Sequence, residues 1–214
     1  MRFPDCKLID CEQRSPEWFE ARKGYLTASQ FGDWLTKSGK VAEKAQLTAA
    51  SRCLADFFGV PDPSPHENDD MRRGTEMEPL AREEFSNMTG LAVDEIGFAK
   101  SIHGWFGCSP DGIMENGEGL EIKCPRPSKL IQYHELGELP DEYKAQVHGS
   151  MAVTGAKAWH FFAWYPGFPA FHKIVKRDTY TESMLEGLKS YSNYYERLAA
   201  KIVAMNKPNL EGGE

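Results

Sequence analysis

The sequence predicts an α/β domain with a central mixed sheet flanked by helices, and three observations carry that expectation. Two stretches before residue 90 repeat apolar residues at helical spacing. From residue 91 to 124, short apolar segments alternate with Gly, Asn and Asp, as strands do with turns. A further helical stretch then precedes a continuously apolar run that reads as a buried strand. At 214 residues the chain fits one domain with a real core: a helical part over 14–90, a sheet core over 91–178 and a C-terminal helix over 179–206.

In "VAEKAQLTAASRCLADFFG", Ala45, Leu47, Ala50, Leu54, Phe57 and Phe58 are spaced for a helix that Gly59 ends. "GVPDPSPHENDD", residues 59–70, reads as a Pro-rich, acidic surface loop. After it, Met77, Leu80, Ala81, Phe85 and Met88 mark a second amphipathic helix closed by Gly90. "LAVDEIGFAK", "GWFGCS", "GIMEN" and "GLEIKC" follow as a meander of strands, with Asn116-Gly117 as a hairpin turn between the last two. "PDEYKAQVHGSMAVTG" places Tyr143, Val147, Met151 and Val153 or Thr154 near one helical face and ends at Gly155. "AWHFFAWY" is the buried strand, "AFHKIVKR" another strand, and a long helix runs from about Thr181 to a frayed tail, "KPNLEGGE".

Composition narrows the function. Apolar residues make up 41% and no run approaches the roughly 20 needed to cross a bilayer, so no membrane segment is expected. The N-terminal "MRFPDCKLID" lacks the pattern of a secretory signal, which makes the cytoplasm the expected location. Cysteines at 6, 11, 53, 108 and 124 have no C-x-x-C spacing, and no histidines form an H-x-x-x-H pair, so any metal is expected on oxygen ligands. A formal charge of −7 gives no global attraction for nucleic acid; basic residues would have to concentrate in one cleft.

The chemistry concentrates at one hairpin. Alternation puts Glu121 and Lys123 on one face of their strand, with Leu120, Ile122 and Cys124 on the other. A two-residue turn at Asn116-Gly117 pairs Asp111 with Ile122, beside both Glu121 and Lys123. Two such carboxylates repel unless a cation neutralises them, and a hard divalent ion, Mg²⁺, is the simplest one. Lysine beside them can orient a water or stabilise charge growing on a phosphate. "SPDG" alone is also an ordinary turn, and E-x-K alone an ordinary surface pair.

"SPDG" followed by "LEIKCP" resembles the PD-(D/E)XK nuclease motif, and in particular the bacteriophage lambda exonuclease and YqaJ-like viral recombinase family. "RKGYLTAS", "RRGTEMEPLAREEF", "YKAQVHGSMAVTG" and "AWHFFAWY" extend the likeness over about residues 14–178. The resemblance implies a restriction-endonuclease-like core in a single nuclease domain, with Asp111, Glu121 and the carbonyl of Ile122 binding Mg²⁺, or Mn²⁺ as a substitute. It makes Lys123 the residue that positions or activates the attacking water, and Glu78 a helix acid reaching the metal or its water. Thr75-x-x-Glu78 equally fits a capping box with Pro79 in an early turn. Arg22, Ser29, Ser109 and Gln146 match a pocket for a 5′-terminal phosphate, although Ser29 could cap a helix near Gln30 and Gln146 could face solvent. Arg72, Arg73, Arg126, Lys129 and Lys144 are candidates for backbone contacts or plain surface charge. The tryptophans read as core or interface rather than base-stacking platforms.

The same resemblance implies a 5′-to-3′ exonuclease on double-stranded DNA ends that releases mononucleotides and leaves 3′ overhangs. It further implies a homotrimeric ring, a single-strand annealing protein as partner, and a phage or prophage origin with a bacterial host's cytoplasm as location. The iron-sulfur branch of this nuclease core is disfavoured because no Cys follows Cys124. An endonuclease on the same core, or an inert DNA-end-binding module, are the competing readings.

Overall fold

The structure, a computed structural model, describes residues 3–33, 43–63 and 69–205. The tail "KPNLEGGE" and part of the loop over 59–70 lie outside the described residues. Nine strands form two mixed sheets among the described residues. The first sheet has the order β1 (Cys6–Ile9), β4 (Phe98–Ser101), β5 (Phe106–Cys108), β2 (Leu26–Thr27), and the second β3 (Val93–Asp94), β6 (Gly112–Met114), β7 (Gly119–Lys123), β8 (Ala158–Ala163), β9 (Phe171–Lys176). The expected meander is therefore divided. The hairpin of β4 and β5 pairs with β1, while β6 and β7 turn away into the other sheet. Between them lie Ser109, Pro110 and Asp111, where proline has no N–H to continue a ladder.

The helix α1 (Pro16–Arg22) starts at Ser15, whose hydroxyl accepts the Trp18 amide at 3.2 Å, with Pro16 at its first position. α2 (Glu43–Phe57) ends before Gly59 as the periodicity requires. α3 (Asp69–Thr89) starts well before Thr75, with Asp69 and Asp70 in its first turn, where they complement the helix dipole. The capping box is thus excluded: Thr75 sits inside the helix and its hydroxyl donates to the Met71 carbonyl at 3.1 Å. The expected apolar stripe of α3 is also narrower than its spacing suggests. Ala81 and Phe85 are buried, whereas Leu80 and Met88 are more than half exposed.

α4 (Pro127–Leu136), which the periodicity did not mark, and α5 (Asp141–Thr154) carry the chain from β7 to β8, which lie parallel. From Val147 to Thr154 every residue of α5 is buried, because the helix packs against both sheets and against α6 (Thr179–Met205). Gly149 permits that approach, since a Cβ there would collide with the ring of Phe31. β8 is buried along its whole length, as its unbroken apolar run requires. Asp178 starts α6 by accepting the amides of Tyr180 and Thr181 at 2.9 and 3.2 Å. Among the described residues no helix is long and apolar enough to cross a membrane, and all five cysteines are free thiols.

Candidate active site

The hairpin between β6 and β7 does not turn as a two-residue loop. Met114 N–H donates to Glu118 O at 2.9 Å and Gly117 N–H to Met114 O at 3.0 Å, so Glu115, Asn116 and Gly117 form a three-residue loop with Gly117 at φ +83°. The extra residue shifts the register to Gly112↔Leu120, which sets Asp111 opposite Glu121 rather than Ile122. The correction tightens the expected cluster, because directly opposed residues project to the same face of a sheet. Asp111 also closes the end of the ladder: its backbone N–H donates to Leu120 O at 3.1 Å, and its Oδ2 accepts the Ile122 amide at 2.6 Å.

Alternation along β7 holds as the sequence requires. Leu120 and Ile122 pack with Ala81, Phe85 and Phe162 on the α3 side, while Glu121 and Lys123 face α5. Glu121 is 1% exposed, and one of its oxygens, Oε1, accepts both Lys123 Nζ and Gln146 Nε2 at 2.6 Å. From α3, Glu78 projects into the same cleft, held at 2.8 Å by Arg82 four residues on. The guanidinium of Arg82 is forked, with Nε on the Asp111 carbonyl at 2.8 Å and Nη1 on Glu95 at 2.9 Å. The cleft encloses about 880 Å³ and brings Asp111, Glu121, Ile122, Lys123 and Glu78 together.

Three carboxyls in so little water resist ionisation. Burial pushes Glu121 up to about 8 against the pull of Lys123, with Asp111 and Glu78 adding to the rise. Burial, then the neighbouring Asp111, pushes Glu78 up to about 7, and burial likewise raises Asp111. Burial alone would lower Lys123, but Glu121 and Asp111 outweigh it and hold the ammonium protonated. Among the described residues no three His, Cys, Asp or Glu side chains are grouped closely enough to enclose a metal by themselves. The cleft offers instead an opposed pair of carboxyls, Asp111 and Glu121, with the charge of Lys123 acting on both and those of Arg82 and Arg14 on Asp111.

Arg22, Ser29, Ser109 and Gln146 line a second cavity of about 140 Å³. Arg22 Nη1 and Trp18 Nε1 both donate to Ser109 Oγ, at 2.9 and 3.0 Å, and the guanidinium stacks 3.8 Å from the Trp18 ring centroid. Burial brings the Arg22 pKa down to about 10, which still leaves it cationic at neutral pH. Ser29 does not cap a helix: the Thr27 amide goes to Gln30 Oε1 at 3.2 Å, while Ser29 Oγ lies 3.3 Å from Thr27 Oγ1. Gln146 does not simply face solvent, since it lines both cavities as well as bonding Glu121. Gln13 is the other residue common to both walls, anchored by 3.0 and 2.8 Å bonds to the carbonyls of Ile96 and Pro110.

Of the expected backbone-contact residues, Arg73, Arg126 and Lys129 line the larger cleft; Arg72 and Lys144 do not. Arg73 and Arg126 share Asp70, at 2.5 and 2.9 Å. Sequence reasoning missed Arg82, Trp18, Tyr143 and Gln13. Arg82 follows Glu78 by four positions and Trp18 precedes Arg22 by four, so helical spacing held a signal for both. Gln13 carried none, because its contacts depend on two distant carbonyls.

The match to known proteins runs through these same elements. Residues 17–157 match the model of the YqaJ-like viral recombinase domain. LHK-Exo, an alkaline exonuclease from Laribacter hongkongensis, is 30% identical, with 88% of this chain and 100% of that chain covered and a TM-score of 0.65. Its structure in complex with dAMP gives a TM-score of 0.69 over 89% of this chain and 100% of that one, at 29% identity. A phage-related exonuclease from Haemophilus somnus 129PT shares the fold at a TM-score of 0.59 and 15% identity, covering 83% of this chain and 96% of that one. No curated protein matches the chain.

Proposed function

The chain belongs to the YqaJ-like viral recombinase domain family and has a nuclease role; from that premise we propose that it is a Mg²⁺-dependent 5′-to-3′ exonuclease acting on double-stranded DNA ends. The observation that carries this reading is the shared wall of the two cavities. Gln146 and Gln13 separate a cationic pocket sized for a small anion from a carboxylate-lysine cleft, so an end phosphate and a scissile phosphate can be held side by side. A relative that binds dAMP, a mononucleotide, agrees with mononucleotide release.

The donor set fits a hard divalent ion. Hydrogen bonds engage Oδ2 of Asp111 and Oε1 of Glu121, and the raised carboxyl pKa values mark a site short of positive charge. Asp111, Glu121 and the Ile122 carbonyl would hold Mg²⁺, or Mn²⁺ in its place, with Glu78 reaching the ion or its water. Such an ion supplies a water of lowered pKa and neutralises charge on the phosphate. The protein does the rest. Lys123, kept protonated by its carboxylate neighbours, donates to the attacking water or to the phosphate oxygens as charge grows. Gln146 holds Glu121 in place. Water adds to phosphorus and releases a proton to solvent, the bond to the 3′-oxygen of the terminal nucleotide breaks, and that oxygen takes a proton from solvent. The remaining strand then carries a new 5′-phosphate suited to the Arg22 pocket.

A linear duplex and a covalently closed circular plasmid, each incubated with the protein and Mg²⁺, separate the readings. Digestion of the linear form alone is expected. Cutting of the closed circle would make the protein an endonuclease, and inactivity on both would make it an end-binding module. Arg22→Ala is expected to erase the preference for 5′-phosphorylated over 5′-hydroxyl ends, a change of about 10- to 100-fold. An unchanged preference removes Arg22 from the pocket. A homotrimer and a single-strand annealing partner complete the proposal, with mass from light scattering as the check on the first and co-purification on the second.

The raised carboxyl pKa values give the metal a pH signature. Between about pH 4.5 and 8 the metal-free folded state holds protons on Glu78 and Glu121 that the unfolded chain has released, so these groups lower stability as pH rises through that window. A divalent ion offsets that loss by binding the ionised forms. The gain in Tm on adding Mg²⁺ should be small at pH 5 and largest at pH 8 or above; a gain independent of pH would place the ion elsewhere.

A further inference from the structure

Left-handed backbone among the described residues belongs to glycine with a single exception. Among the described residues eight glycines have positive φ, and the one other residue that does is Arg14, at +70°. A side chain there brings Cβ against the backbone, which Gly avoids and Asn or Asp tolerate better than Arg. The conformation is imposed from both sides: Gln13 is tied to the Ile96 and Pro110 carbonyls, and Ser15 bonds its amide to Glu12 O at 3.2 Å while capping α1. A strained residue kept by a tight surround points to a use for its side chain.

That side chain enters the metal cleft. Arg14 is exposed, lines the cleft beside Thr75 and Glu78, and has no carboxylate within salt-bridge reach among the described residues. One N–H of the guanidinium is used, by Nη2 on Thr75 Oγ1 at 2.7 Å. Among the described residues no other hydrogen bond engages the five-N–H fork. A tie to α3 alone would not require a long cation, since a neutral hydroxyl is its only hydrogen-bond partner among the described residues. Its charge also acts on Glu78 and Asp111, which places it within the field of the reacting groups.

We propose that Arg14 is a substrate-contacting residue whose guanidinium binds a backbone phosphate of DNA lying in the cleft alongside α3. This rests on the nuclease reading, and it makes the left-handed Arg14 a trade of backbone ease for a phosphate contact. Duplex binding with Ca²⁺ in place of Mg²⁺, titrated with salt, and steady-state digestion with Mg²⁺ test it on Arg14→Gly, Arg14→Met and Thr75→Ala. Both Arg14 variants should bind about 5- to 10-fold more weakly, with a slope of log K on log salt smaller by about 0.9, one phosphate's worth. KM should rise while kcat stays near wild type. Arg14→Gly should match or exceed the wild-type Tm, and Thr75→Ala, which cuts the tie but keeps the cation, should retain the wild-type slope. Wild-type affinity and slope in both Arg14 variants overturn the contact and leave the nuclease in place. Loss of the slope in Thr75→Ala as well overturns it in favour of a structural tie. A wild-type protein that neither binds nor digests duplex overturns the nuclease reading and the contact together.

Discussion

Lys123→Met is expected to reduce kcat for duplex digestion by about 10³-fold at saturating Mg²⁺ while the protein stays folded. The side chain keeps its length and apolar stem, so β7 still packs against β8 and Tyr143. What disappears is the ammonium 2.6 Å from Glu121, the group in the cleft able to donate to an attacking water or to a phosphate oxygen on the β7 side. Removing one such donor costs about 10²–10³ in comparable electrostatic sites, and loss of water orientation adds to it. Binding of a 5′-phosphorylated end should persist, because Arg22, Ser109 and Ser29 lie in the neighbouring cavity. Digestion within tenfold of wild type would mean that the chemistry happens elsewhere. Asp111→Asn should match the loss for a different reason: the amide keeps the size of the side chain but not the charge that a divalent ion needs.

Gly119→Val is the substitution expected to cost most in stability. Gly119 opens β7, paired with Ile113 on one side and Trp159 on the other. A Cβ at that position would collide with the six-membered ring of Trp159, which is fully buried and has no space to retreat into. Overpacking of this kind costs about 2–4 kcal/mol, or a Tm lower by about 5–15 °C in a chain of this size. Activity should fall with it, since any shift of β7 against β8 moves Glu121 and Lys123 together. Gly74→Ala is the contrasting substitution. It lies inside α3 with nothing within 4 Å of an added Cβ, and should stabilise by about 0.5–1 kcal/mol. Equal melting temperatures for the two variants would show that room at Gly119 was misjudged.

Much of the site was legible beforehand because its signals are local. Alternation along "GLEIKC" is a property of any strand, so the placement of Glu121 and Lys123 on one face follows from the residues alone. The buried character of "AWHFFAWY" and the helix ending at Gly155 follow in the same way from composition and a left-handed cap. Signals shared by two structures were not decisive. Thr75-x-x-Glu78 serves equally as a cap or as one turn of helix interior, and the five helical residues before Gly74, Asp69 to Arg73, tell which. Asn116-Gly117 suits a two-residue or a three-residue hairpin, and those loops differ by one in register.

By itself, then, the sequence determined that Glu121 and Lys123 share one face of a strand and that an α/β core surrounds it, since each of these rests on periodicity or on residue type. Only the tertiary structure decided that Asp111 faces Glu121, that the strands divide between two sheets at Ser109-Pro110, and that Arg22, Ser29, Ser109 and Gln146 share one cavity. It also decided that Arg14 holds a left-handed backbone at the edge of the cleft. The reason is one of range. Side-chain direction repeats every two or 3.6 residues and is written locally, whereas register, sheet partner and the meeting of distant loops are set by which packing satisfies the backbone hydrogen bonds of the whole chain at once.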